Sequence, residues 1–116
     1  MLIADNTMTA LHAALSGLAE RQRVTADNIA NVNTPGFLAG RTDFESALRS
    51  ELDSGQAPVV SPGTVARSLE PTNTNGNNVN LDEEEVISTQ TGLQYQLALN
   101  ALDSKYSLLR TALRTQ

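Results

Sequence analysis

Few residues of this chain have the chemistry for catalysis, and none stands in a catalytic pattern. His12 is the only histidine, so a Ser-His-Asp triad would have to be built on it. It lies early in a helical stretch, where a solvated or partly buried side chain accounts for it. The absence of cysteine excludes disulfides and thiol catalysis and leaves the redox compartment open. Asp82-Glu83-Glu84-Glu85 offers metal-ligand residue types, yet it falls at a helix start, where the dipole favours negative charge, and capping explains it. Asn73-Thr74-Asn75-Gly76 is loosely like a calcium loop, but Pro71 occupies the first ligand position and no carboxylate precedes the glycine. Neither a phosphate-cradling glycine loop nor a cysteine/histidine zinc spacing occurs. The expectation is a protein without cofactor or metal, and not an enzyme.

Its elements suit packing instead. With 116 residues the chain makes one small domain. Phe37, Phe44, Tyr95 and Tyr106 are all its aromatics, so the core must be Leu, Val, Ile and Ala, which favours helix on helix. The net charge is -5, and the basic residues are scattered singly, so nucleic acid is not an expected partner. No run reaches the roughly 18 apolar residues of a membrane span, and the first residues lack the pattern of a cleavable secretory signal.

Residues 7–32 read as a helix. Met8, Leu11, Leu15, Leu18, Gln22, Thr25, Ile29 and Val32 recur at steps of three and four, a heptad seam interrupted by polar residues at its centre. A second helix spans 80–114, with Asn80 as N-cap and Glu83 as its capping-box partner. It carries two apolar stripes: Tyr95, Leu99, Leu102, Tyr106, Leu109 and Leu113, and beside them Val86, Leu93, Leu97, Ala101, Ser104 and Leu108. One partner helix cannot cover so broad a face. Burying a Leu is worth roughly 1.5 to 3 kcal/mol, so the surplus asks for neighbours beyond the chain.

Residues 33–79 hold all four prolines and most of the glycines, which is loop chemistry. Within them Asp43 to Leu52 is expected as a short helix with Thr42 as cap, and Val59-Val60 with Thr64 to Arg67 as a small hairpin across Ser61-Pro62-Gly63. The connection is long enough to allow parallel or antiparallel pairing of the long helices: it could stretch to roughly 150 Å, against about 39 Å for the first helix.

The most distinctive string is Asp27-Asn28-Ile29-Ala30-Asn31-Val32-Asn33-Thr34-Pro35-Gly36-Phe37. Physically it is a helix end followed by a type II turn, in which Pro35 fixes φ at the second position and Gly36 supplies positive φ at the third. Phe37 is then set to pack back, and the asparagines favour backbone bonding near the helix end. As a string it resembles the motif of the flagellar axial protein family, Ala-x-Asn-Ile-Ala-Asn-x-x-Thr-x-Gly-Phe/Tyr, through Ala26, Asn28, Ile29, Ala30, Asn31, Thr34, Gly36 and Phe37. Pro35, and Gly76-Asn77-Asn78-Val79-Asn80-Leu81-Asp82 before the second helix, look like the proximal rod subset. Tyr95-Gln96, Lys105-Tyr106 and Leu108 to Ala112 also look like that family's C-terminal helix. Asn80, Glu85 and Leu38 depart from it, standing where an acidic residue, a Met and a Lys are usual.

The resemblance implies a mainly α fold, its terminal helices paired as an antiparallel coiled coil and joined by a loop-rich middle with little β structure. It also implies a structural subunit of the basal body that polymerises helically and transmits torque to the hook. Its partners would be itself, other rod proteins, the membrane-embedded ring with its rod adaptor, and the flagellar type III export apparatus, which would deliver it to the periplasm-spanning rod. Leu11, Leu15, Leu18 and Ile29 from one helix, and Tyr95, Leu97, Leu99, Leu102, Tyr106 and Leu109 from the other, are the expected assembly interface. The rival reading is an export adaptor or chaperone-like module offering a groove to one target helix.

Overall fold

The computed structural model describes residues 2–55 and 65–114. In order along the chain come α1 (Leu2–Ala30), β1 (Gly40–Thr42), α2 (Phe44–Asp53), β2 (Val65–Arg67) and α3 (Leu81–Arg114). The two long helices lie side by side and antiparallel. Asn28 meets Glu84, Gln22 meets Ser88, and the Leu11 turn faces the Ala101 turn.

α1 begins five residues before the expected Thr7 and stops at Ala30 rather than Val32. The stop has a local cause. Asn31 donates its backbone N–H to Asp27 and Asn28 carbonyls and its side-chain amide to the Asp27 carbonyl, while Val32 bonds only three residues back. These tightened bonds take up carbonyls that a continuing helix would have used. At the start of α3, Asn80 caps as expected, its Oδ1 accepting from the Glu83 N–H at 3.3 Å. The Glu83 carboxylate lies toward Arg41, 3.4 Å away, rather than completing a capping box.

α2 is capped by Asp43, not Thr42, because the Asp43 carboxylate takes both the N–H and the hydroxyl of Ser46. β1 and β2 form an antiparallel pair in the register Gly40 to Arg67, Arg41 to Ala66 and Thr42 to Val65. This corrects the expected hairpin: Val65–Arg67 pairs with a strand lying before α2, and Val59 and Val60 fall outside the described residues.

The molecule measures 66 × 26 × 14 Å, and its radius of gyration of 17.8 Å exceeds the roughly 13 Å of a compact domain this long. Its accessible surface is 7737 Å², against about 6,100 Å² for a compact monomer of this mass. The buried interior is correspondingly thin. Leu15, Leu18, Val24, Ala39, Val79 and Leu102 are its apolar members, and Thr25, Asn28, Asn77, Asn78, Glu84 and Thr91 are buried with them. The α3 seam reads Glu84, Ser88, Thr91, Tyr95, Ala98, Leu102, Lys105 and Leu109, polar in its first half and mainly apolar in its second. Among the described residues no helix is long and apolar enough to cross a membrane.

Candidate functional site

The site is the turn that ends α1, together with the asparagine-rich segment that holds it. Phe37 donates its N–H to the Thr34 carbonyl at 3.2 Å, and Gly36 has φ of 74°, the geometry of the type II turn that Pro35-Gly36 encodes. Gly76, at φ of 82°, lies against it. A Cβ on Gly76 would sit 3.3 Å from the Gly36 Cα, so two left-handed glycines let two backbones touch. The Gly36 N–H then reaches the Asn75 carbonyl at 2.9 Å.

Asn77 fixes this contact from inside. Its side chain is fully buried; the amide donates to the Asn31 and Thr34 carbonyls, both at 2.8 Å, and its Oδ1 accepts from the Val79 N–H. One residue thus gives a second donor to each of two carbonyls in the turn after α1, which already accept the Thr34 and Phe37 N–H groups, and shapes the approach to α3. Asn78 acts one layer further out. Its Oδ1 takes the Ala39 N–H at 2.7 Å, and its amide spans the Ser68 and Glu70 carbonyls.

Beneath the turn lies a polar network joining three elements. Asn28 exchanges two bonds with the Gly40 backbone and donates to Glu84 Oε2 at 3.1 Å. The other Glu84 oxygen receives Arg41 Nη1 at 2.6 Å. A buried carboxylate needs both partners, since an unpaired charge inside a protein costs several kcal/mol. Gly40 is required at the centre, because a Cβ there would stand 2.9 Å from Val24 Cγ1. Arg21 fastens α2 alongside, bonding both Glu45 oxygens and the Thr42 carbonyl and lying 5.0 Å from the Phe44 ring centre. The Arg21 guanidinium holds the Glu45 carboxyl below its ordinary range, and the Ser46 hydroxyl does the same for Asp43.

Of the motif residues, Asn28 is buried, Ile29, Asn31 and Phe37 are half-buried, and Ala30, Asn33, Thr34, Pro35 and Gly36 are exposed. The Thr34 hydroxyl donates to Asn31 Oδ1, and Arg67 lies over the Phe37 ring. The expected interface residues divide. Leu15, Leu18 and Leu102 are buried within one chain, where they hold α1 to α3, so in the free subunit they offer no open surface. Leu11, Ile29, Tyr95 and Leu109 are half-buried; Leu99 and Tyr106 are exposed, and Leu97 is 70% exposed. Val86, Leu93 and Leu108 share the α3 face turned away from α1, Leu97 stands at its edge over the groove lined by Leu11 and Leu48, and all four are more than half exposed. His12 is exposed on α1, and among the described residues no cluster of His, Cys, Asp and Glu is placed to hold a metal.

Arg41, Asn77, Asn78 and Glu84 are site residues that sequence reasoning did not single out. Glu84 was hidden in an acidic run that capping already explained. Gly76-Asn77-Asn78 stood in the sequence as a family-like string without a contact attached to it.

This geometry has relatives. The family described as "Flagella basal body rod protein" matches residues 1–37, which is α1 and the turn. The flagellar basal body rod protein FlgB of Escherichia coli (strain K12) is 30% identical over 122 residues, covering 88% of each chain. The chain belongs to the FlgB family of flagellar basal body rod proteins. FlgB of Bacillus subtilis (strain 168) is 28% identical over 131 residues and 97% of each chain. FlgB of Borreliella burgdorferi is 33% identical over 110 residues, 77% of this chain and 82% of that one. The similarity to FlgB proteins therefore runs well beyond the N-terminal motif, through the polar anchor and into α3.

Proposed function

We propose that this rod-family chain, a structural component of the basal body, builds the proximal rod by packing the outward faces of its helix pair against neighbouring subunits. The observation that carries the reading is α3 itself, which has apolar side chains on two opposite faces. One face seals α1 through Leu102, while the other leaves Val86, Leu93, Leu97 and Leu108 to water. A helix with two apolar faces has both covered only as an inner element, and each of these side chains gains about 1.5 to 3 kcal/mol when covered. In this reading the rod carries torque from the membrane-embedded ring and its adaptor to the hook. The type III export apparatus delivers the subunit, and no catalytic step is assigned to it.

The deciding experiment is mass spectrometry of purified hook-basal bodies from cells carrying the native chain, Leu97→Asp or Leu108→Asp. The native chain is expected at a low, fixed ratio to the ring proteins, and either variant at least tenfold below that. Native protein found only in the cytoplasm, in a small defined complex, would overturn the rod reading in favour of an export adaptor.

A further inference from the structure

Leu69 is the most exposed large apolar residue of the described chain, at 96%. It is nevertheless held firmly. The Asn78 amide donates to the carbonyls of Ser68 and Glu70, the residues on either side of it, at 3.1 and 3.2 Å. The Ser68 N–H bonds the Ala39 carbonyl at 2.8 Å, and the Glu70 N–H bonds the Ser68 hydroxyl. A buried asparagine therefore staples the backbone around a leucine that points into water. With the backbone so fixed, only the rotamers of the leucine itself remain to be ordered on binding.

A fitting recess lies elsewhere on the same chain, in the groove between α1 and α3. Its walls include Ala19, Ala26, Gly92 and Tyr95, with Leu18 beneath and Arg23 at the rim. Around Gly92 there is open space, with no heavy atom within 4 Å of where a Cβ would stand. Small residues on both helices leave room for a branched side chain to enter.

We propose that Leu69 of one copy seats in this groove of a second copy, with Glu70 beside that copy's Arg23. Charge supports the pairing. Among the described residues the Glu70 carboxylate has no partner, and Arg23 is largely exposed and holds only Glu20 on its own helix turn. A guanidinium has five donors, so it can accept a second carboxylate. Two copies of net charge -5 repel each other, so a local opposite pair selects the register of approach. Knob and groove occupy different parts of the surface, which makes the contact head-to-tail; repeated, it yields a ring or an open helix rather than a closed dimer. The inference rests on the rod reading and adds the contact that would propagate it.

The chain has no native cysteine, which allows a direct test. Leu69→Cys and Gly92→Cys chains are co-produced in the source bacterium, and purified basal bodies are oxidised. A disulfide-linked pair containing one of each is expected, with none from either variant alone. Glu70→Arg should lower incorporation at least tenfold, and adding Arg23→Glu to the same chain should restore it. With both cysteine variants present in the basal bodies, failure to form the mixed pair overturns the contact and leaves the rod reading standing, as does incorporation of Leu69→Ser at the native level. Absence of the native chain from the basal bodies overturns both.

Discussion

At the scale of single residues, the structure assigns unequal weight to asparagines that look alike in the sequence. Asn77 is sealed and makes three bonds to backbone groups, whereas Asn33 is exposed within the motif. Asn77→Ala should lower stability by about 1–3 kcal/mol, since it leaves the N–H of buried Val79 without its acceptor and removes two further bonds to the turn carbonyls, while Asn33→Ala should stay within about 0.5 kcal/mol. Urea unfolding of the two variants distinguishes them. The Arg41 and Glu84 pair is a sharper case. Arg41→Met leaves the Glu84 carboxylate buried with only Asn28 beside it and should cost about 3–5 kcal/mol; Arg41→Met with Glu84→Leu should recover most of that loss. Recovery in the double variant marks the pair as a device of specificity rather than of stability. None of this was legible from residue type. The acidic run at the start of α3 satisfies a helix dipole whichever member turns inward, and the partner that selects Glu84 lies forty-three residues earlier.

Among the elements, those with a long period were readable and those fixed by distant partners were not. The three-four spacing located both long helices, and Pro35-Gly36 located the turn between α1 and β1, because these signals are local. β1 is three residues of no marked strand character, and only its pairing with Val65–Arg67 makes it a strand. The docking of α2 shows a similar dependence. Gly17 is buried where α2 crosses α1, and a Cβ there would overlap the Phe44 ring. Gly17→Ala should therefore destabilise by about 1–3 kcal/mol although alanine is the better helix former, and Phe44→Leu in the same chain should return part of the loss. Thermal unfolding followed by circular dichroism reads both. The same helix should respond to acid. Glu45 and Asp43 have folded values below their ordinary 4.5 and 3.8, so their contribution is complete above those values and is lost as pH falls through the lower folded ones. Both groups are well exposed, so the effect is modest: a small loss of α2 exchange protection, measured against the intrinsic exchange rate at each pH, as pH falls below the ordinary carboxylate range, and a smaller acid response in Glu45→Gln.

For the whole molecule, the sequence conveyed the surplus of apolar surface but not how it is divided. Periodicity cannot say which stripe of α3 meets α1, because that depends on the polar anchor setting the rotation of the helix: with Glu84 turned inward, Thr91 and Leu102 follow it onto the seam and Leu97 turns out. Leu102→Asp should consequently unfold the subunit, seen as lost helical signal at 25 °C, whereas Leu97→Asp should keep native ellipticity. Antiparallel pairing also sets the first turns of α1 beside the last turns of α3, and the turn after Ala30 beside the start of α3, while α2 runs back along α1 past Gly17. α2 is moored by Arg21 with Glu45, and β2 by its pairing with β1. Sequence added between Ser54 and Gly55, both exposed just past the end of α2, would thus leave both moorings and the helical seam in place. The fold has a built-in place to lengthen, where a peptide tag or a reporter loop can be grafted while the rest of the subunit keeps its shape.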